Sequence, residues 1–216
     1  MFIDLKLEGK TVIVVGGGAE AYRKTQSFLD SSATIWVISK EFSEGIQKLG
    51  EEKKVALVKT EVKDAKSFVD SLNPKPYALL AITNDVKLNL ELVKAAKAWG
   101  CMVYAVDNPA LSDFILPAIA RIGGVKVAIS TGGKSPAMAH VLRERIEKLI
   151  TPQDLLEIEL QANIRNILKT KVPDVKVRGK LLYEILNNDN IKQALRKGKL
   201  QEAEESALKL LKETKK

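Results

Sequence analysis

The chain has 216 residues, and 35 Lys and Arg against 27 Asp and Glu leave it a formal charge of +8. At 45% hydrophobic and 29% charged, it is too apolar for a disordered chain and rich enough to fill a sizeable core. A lone cysteine, Cys101, and a lone histidine, His140, exclude a disulfide scaffold and a zinc site built from the usual soft ligands.

The amino-terminal stretch Met1-Phe-Ile-Asp-Leu-Lys carries Asp4 and lacks a long apolar run, so it does not read as a signal peptide. The longest apolar runs, Val12 to Val15 and Tyr77 to Ile82, fall far short of the roughly 20 residues of a membrane span. A cytoplasmic protein that engages no membrane is expected. Thr11 to Val15 reads as a strand ending in Gly16-Gly17-Gly18, followed by a helix over 19–30. Strands are then predicted at Thr34 to Ile38, Val55 to Val58, Tyr77 to Ile82 and Met102 to Val106. Helices between them cover Ser43 to Leu49, Ala65 to Leu72 and Val86 to Trp99. Continuous apolar strands separated by helices imply a parallel sheet covered on both faces. The prediction is an α/β fold, a Rossmann-like doubly wound domain over residues 1–112.

The rhythm changes after that. Asp113 to Ile122 is β-like, Gly123-Gly124 is a turn, and Val125 to Ser130 alternates like a half-buried strand. A helix from Pro136 to Ile150 follows, with Ser135 suited to its N-cap and Pro136 to its first position. Residues 113–150 therefore form a small β-hairpin and helix region. Residues 151–216 form a helical carboxyl-terminal domain, with helices at Asp154 to Leu168, Gly179 to Leu186, Asn190 to Arg196 and Gln201 to Leu211. The tail Lys215-Lys216 is expected to fray.

Gly16-Gly17-Gly18-Ala19-Glu20-Ala21 follows a strand and opens a helix, and it fits G-x-G-x-x-G/A with Ala21 in the last place. Glycines there permit the tight turn and let backbone N–H groups approach a pyrophosphate. Dinucleotide binding is predicted. At the end of the second strand, Ser39-Lys40-Glu41 leaves the cofactor open: Glu41 suits the ribose hydroxyls of NAD, whereas Ser39 and Lys40 suit the 2′-phosphate of NADP. NAD is expected, with NADP as the alternative. Thr131-Gly132-Gly133-Lys134-Ser135 is not a P-loop, because the required glycine is replaced by Ala128 inside a strand. It reads either as a backbone nest suited to carboxylate groups or as a plain strand-to-helix turn. Asp107, at the carboxyl end of the fifth strand, reads alone as a loop-capping residue sooner than as a catalyst.

Four motifs in order carry a resemblance. Gly16-Gly-Gly-Ala-Glu-Ala-Tyr-Arg-Lys resembles G-G-G-x-x-A-x-R-K, and Ala81-Ile-Thr-Asn-Asp resembles A-x-T-[DN]-[DN]. Val106-Asp-Asn-Pro followed by Asp113-Phe-Ile-Leu-Pro resembles V-D-x-P…F-x-x-P. Ile129-Ser-Thr-Gly-Gly-Lys-Ser-Pro-Ala followed by Leu142-Arg-Glu-Arg-Ile-Glu resembles S-[ST]-G-G-x-S-P with L-R-x-x-I/L-E. Together they resemble the precorrin-2 dehydrogenase/sirohydrochlorin ferrochelatase family, the amino-terminal module of siroheme synthase.

That resemblance implies oxidation of precorrin-2 to sirohydrochlorin, with a hydride passing to NAD and a proton lost. Some members also insert iron or cobalt, so Fe²⁺ or Co²⁺ is an expected substrate metal, with no metal site in the protein itself. It implies Asp107 as the catalytic residue. Cofactor contacts are implied at Gly16, Gly17, Gly18, Ala19, Glu20, Lys40, Glu41, Thr83 and Asn84. Contacts to the tetrapyrrole are expected at Thr131, Gly132, Gly133, Lys134 and Ser135, from the nest-like turn, and at His140, where the family often has Arg. A homodimer is expected, with the hairpin as a shared element. No methyltransferase-like stretch follows the helical region, so precorrin-2 is expected to come from another protein. A dinucleotide-sensing regulatory domain is the alternative, but it leaves Asp107 and the Thr131–Ser135 turn unexplained. No recognised nucleic-acid module accompanies the positive charge, and none is expected as partner. A tetrapyrrole with eight carboxylates is a sufficient reason for it.

Overall fold

The computed structural model describes residues 2–213; Lys215 and Lys216, expected to fray, lie outside them. The chain divides into two compact units, one ending at Leu116 and the other starting at Pro117.

The first unit is built on five strands, β1 (Thr11–Val15), β2 (Thr34–Ser39), β3 (Ala56–Lys59), β4 (Ala78–Ala81) and β5 (Met102–Ala105). All neighbours are parallel, in the order β3-β2-β1-β4-β5. Helices α1 (Ala19–Thr25), α2 (Glu44–Glu51), α3 (Ala65–Asp70) and α4 (Val86–Ala98) connect them. Every residue of β1 is buried, as a central strand covered on both faces requires. Val12 and Val14 pack on one side with Ala21, Phe28 and Ile46, while Ile13 and Val15 pack on the other with Val69, Leu92 and Val93. The Rossmann-like doubly wound sheet expected from the apolar runs is thus present. The sheet reverses its winding between β1 and β4, which opens a crevice at their carboxyl ends.

Local chemistry moves some boundaries. The helix predicted over 19–30 is α-helical only to Thr25 and continues as a 3₁₀ segment, Gln26–Ser31. It stops at Ser32, which takes a left-handed φ of 58°. Residues 113–116 do not form a strand. Phe114 instead sets its ring edge-on to Phe28, with centroids 6.4 Å apart, and against Tyr104 at 6.0 Å. This binds the segment to the first unit's core. At its start, Ser112 and Asp113 line the outer edge of β5. The Val103 N–H donates to Asp113 Oδ2 at 2.9 Å, and the Ala105 N–H to Ser112 Oγ at 2.9 Å. The Asp113 N–H returns a bond to the Val103 carbonyl at 2.9 Å.

In the second unit, β6 (Ala118–Ile122) and β7 (Val125–Ile129) form an antiparallel hairpin, and α5 (Pro136–Leu149) follows. Then come α6 (Pro152–Lys171), α7 (Val175–Asn187), α8 (Asp189–Arg196) and α9 (Leu200–Glu213). Leu160, Ile164, Leu168, Ile185, Ile191 and Leu195 are the heart of their core. Two helices are longer than their apolar periodicity predicts, because caps extend them. Thr151 and Asp154 form a reciprocal capping box before α6. The Asp174 side chain accepts from the Lys176 and Val177 N–H groups, so α7 starts ahead of Gly179 and runs through it.

Candidate active site

The residues expected to hold a dinucleotide gather at the carboxyl edge of the first unit's sheet. Gly16 to Ala19 follow β1, Lys40 and Glu41 follow β2, Thr83 and Asn84 follow β4, and Asp107 follows β5. The turn after β1 is pinned from two sides. The Gly16 N–H donates to the Ile38 carbonyl at 2.9 Å, and the Ser43 N–H to the Gly17 carbonyl at 2.8 Å. Gly16 has φ +134°, and a Cβ there would lie 2.1 Å from the Ile82 carbonyl oxygen; at Gly17 it would lie 1.9 Å from that of Glu41. Around Gly18 nothing lies within 4 Å of such an atom. Gly18 also leaves α1 without a side-chain cap, so the first N–H groups of that helix are free to meet an anion.

The turn fits a dinucleotide. Two glycines are closed in by backbone and the third is open to an approaching group, beside uncapped helix N–H donors. The Ser43 hydroxyl next to the turn is buried without a partner. The residues present suit the phosphates of a nicotinamide cofactor.

Glu20, whose place beside a pyrophosphate looks unfavourable, is turned onto its own helix. Its carboxylate meets Arg23 Nη2 at 2.7 Å and Lys24 Nζ at 3.6 Å. The hydrogen bond from Arg23 holds the carboxyl below its ordinary pKa against the opposing effect of partial burial. Lys24 also lies 4.9 Å from the centre of the Tyr104 ring. After β2, Lys40 Nζ pairs with Glu61 Oε1 at 2.5 Å, and this contact holds the Glu61 carboxyl low. Glu41 is exposed beside it.

One residue was not singled out by the sequence motifs. Asn89, in the first turn of α4, is 3% exposed. Its Oδ1 accepts from the Thr83 N–H at 2.9 Å and the Thr83 hydroxyl at 2.7 Å. Its Nδ2 donates to the Thr83 carbonyl at 2.9 Å and to Asp107 Oδ2 at 2.6 Å. Asp107 is exposed, and among the described residues its side chain has no other hydrogen bond or ion pair. A carboxylate with one oxygen held and the other free is placed to take a proton.

The remaining expected site residues lie in the second unit. Thr131 to Ser135 form the turn from β7 into α5, with left-handed φ values of 61° at Gly132 and 79° at Gly133. Thr131 Oγ1 accepts from the Ser135 N–H at 3.1 Å, and Ser135 Oγ caps the Met138 N–H at 3.2 Å. Lys134 is exposed. His140, one turn into α5, is also exposed and meets Glu144 at 3.1 Å. No group of three or more His, Cys, Asp and Glu among the described residues is arranged to hold a metal ion. No described helix is long and apolar enough to cross a membrane.

A glycine-rich turn at the winding reversal of a parallel sheet defines a Rossmann-like nucleotide-binding protein. A family model described as "Putative NAD(P)-binding" matches residues 3–118, and a second, "Sirohaem biosynthesis protein central", matches 123–149. The chain belongs to the precorrin-2 dehydrogenase and siroheme synthase family. It is 30% identical to a precorrin-2 dehydrogenase of Methanosarcina barkeri, over 87% of this chain and 83% of that one. It is 32% identical to a siroheme synthase of Nitrosococcus oceani, over 94% of this chain and 42% of that one. The chain thus spans about two fifths of the length of the siroheme synthases it matches. Among solved structures, the precorrin-2 dehydrogenase SirC superposes with a TM-score of 0.76 over 97% of this chain and 99% of that one, at 23% identity. At that identity the likeness establishes the shared fold.

Proposed function

We propose that this chain oxidises precorrin-2 to sirohydrochlorin with NAD as the hydride acceptor. The observation that carries the reading is the pairing of an open Gly18 turn with a half-free Asp107 carboxylate on one sheet edge. The reaction removes a hydride and a proton from the macrocycle. The bound cofactor supplies the electrophile that takes the hydride. The chain's own residues bind that cofactor through Gly16, Gly17, Gly18 and Ala19, flanked by Glu41 and by Thr83 and Asn84. Asp107 Oδ1 accepts the proton as general base. Glu20 stays paired with Arg23 and contributes no repulsive free charge at the phosphates.

NAD is favoured over NADP by the charges beyond β2. Lys40 is neutralised by Glu61, and Glu41 stands alongside. A 2′-phosphate would meet two carboxylates and a single committed ammonium, whereas ribose hydroxyls find acceptors there. In the second unit, Thr131, Gly132, Gly133, Lys134, Ser135 and His140 are assigned to the carboxylates of the tetrapyrrole. The chain acts as a homodimer in this reading, with the open edges of the two-stranded hairpin β6–β7 covered by a second copy.

The deciding experiment is optical. Under anaerobic conditions, protein, NAD and precorrin-2 give the sirohydrochlorin spectrum together with NADH absorbance. Asp107→Asn, which keeps an acceptor oxygen for Asn89, folds and binds NAD but loses turnover. A protein that binds NAD yet leaves precorrin-2 unchanged would instead be a dinucleotide sensor.

A further inference from the structure

Asn89 is buried in the first turn of α4, in a chain where buried polar side chains are scarce. A primary amide has two N–H donors and two acceptor lone pairs. All four are used here, three by Thr83 and one by Asp107. The amide has only one possible orientation. The Thr83 backbone N–H can only donate, so the atom facing it is the amide oxygen, and Nδ2 necessarily faces the Thr83 carbonyl and Asp107. The loop after β4 and the loop after β5 therefore share a single side chain.

We propose that Asn89 is the positioning residue of the reaction, holding Asp107 by Oδ2 so that Oδ1 is the oxygen that receives the proton. This rests on the functional reading above. The N–H donor occupies a lone pair of Oδ2, while Oδ1 has no partner among the described residues and is the oxygen left open. The proton leaving the macrocycle goes to the remaining oxygen. The bond also fixes the torsion of a side chain that is otherwise exposed and free to rotate, which is the kind of preorganisation a general base needs. A purely structural role would confine the effect of Asn89 to the Thr83 loop and hence to cofactor affinity.

Asn89→Asp separates these roles. It keeps an oxygen for the Thr83 N–H and hydroxyl but sets a second oxygen against both Asp107 and the Thr83 carbonyl where Nδ2 stood. In cofactor-free protein, Asn89→Asp lowers Tm by about 4 °C, and by less when Asp107→Ala is also present, the remaining loss coming from the Thr83 carbonyl. Equal losses in both backgrounds overturn the contact. In the loaded enzyme, turnover at saturating NAD and precorrin-2 falls at least ~30-fold while the dissociation constant for NAD moves less than ~3-fold. Unchanged turnover, or a loss confined to NAD affinity, overturns the positioning role. Should Asn89→Asp fail to fold, Asn89→Ser, which loses the bonds to Thr83 as well as to Asp107, is expected to lower NAD affinity and to lower turnover at saturating NAD by at least ~10-fold in addition; turnover unchanged at saturation overturns the positioning role. Wild-type protein that leaves precorrin-2 unconverted overturns the functional reading instead, and the cofactor-free comparison still decides the contact.

Discussion

Gly17 and the Glu41 carbonyl oxygen stand so close that a Cβ on the glycine would approach to 1.9 Å. The approach is backbone to backbone, so no side-chain rotation relieves it. Gly17→Ala is therefore expected to destabilise the first unit by ~2 kcal/mol or more. At Gly18, where a Cβ meets nothing, alanine should leave stability within about 0.5 kcal/mol and raise the dissociation constant for NAD by roughly tenfold, about 1.4 kcal/mol. Urea unfolding and NAD titration of the two variants check this. Equal stability losses at both positions would contradict it.

Cofactor preference is expected to depend on Glu61 as well as on the residues after β2. Removing its charge with Glu61→Gln releases Lys40, which becomes available to a 2′-phosphate. The pair is exposed, so the change is modest: the ratio of NAD to NADP affinity should narrow by roughly 3- to 5-fold. Competitive titration measures the ratio, and a wider preference for NAD in the variant would refute the assignment.

Asp113 ties the chain back to the edge of β5 and pairs with Lys97 at 2.9 Å. Burial pushes its carboxyl up, but the Lys97 ammonium and the Val103 N–H outweigh it and hold the pKa below the ordinary 3.8. A lowered folded pKa stabilises the fold above the unfolded value, and that stability is lost as pH falls through the folded value. Asp113→Asn should thus unfold more readily than wild type at pH 7, by ~1 kcal/mol. The gap should close on acidification below about pH 3.8. Paired urea titrations from pH 7 downward test this; a gap that widens in acid would contradict it.

The hairpin of the second unit leads to an expectation for assembly. Sedimentation of the purified protein at micromolar concentration should give twice the chain mass of 23.8 kDa. A single species at the chain mass would remove the dimer from the proposal.

The sequence already displayed most of the first unit. The apolar runs of β1, β2 and β4 are buried almost throughout, and the glycine-rich turn falls between β1 and α1. The carboxyl-edge grouping followed from strand order, because parallel strands bring their following loops to one side. What escaped was set by distant or side-chain chemistry. Asn89 reads as an ordinary polar helix residue, and its importance depends on Asp107, 18 positions away. One signal was present: Asn89 shares the spacing of Leu92, Val93 and Ala96, the buried face of α4. A polar residue on that stripe needs partners. The change from α to 3₁₀ after Thr25 also escaped, while the left-handed Ser32 ends the 3₁₀ segment close to the predicted helix end. The strand expected over Asp113 to Ile122 begins only at Ala118, because Phe114 serves the Phe28 and Tyr104 contacts rather than a ladder.

The side-chain bonds from Ser112 and Asp113 to β5 have a consequence for what the sheet excludes. An outermost strand normally presents bare N–H groups that recruit a stranger's backbone and invite aggregation. Here the Val103 and Ala105 donors are already occupied. An incoming chain must displace a hydroxyl and a carboxylate before it can form its first ladder bond, so on this side the sheet ends at five strands.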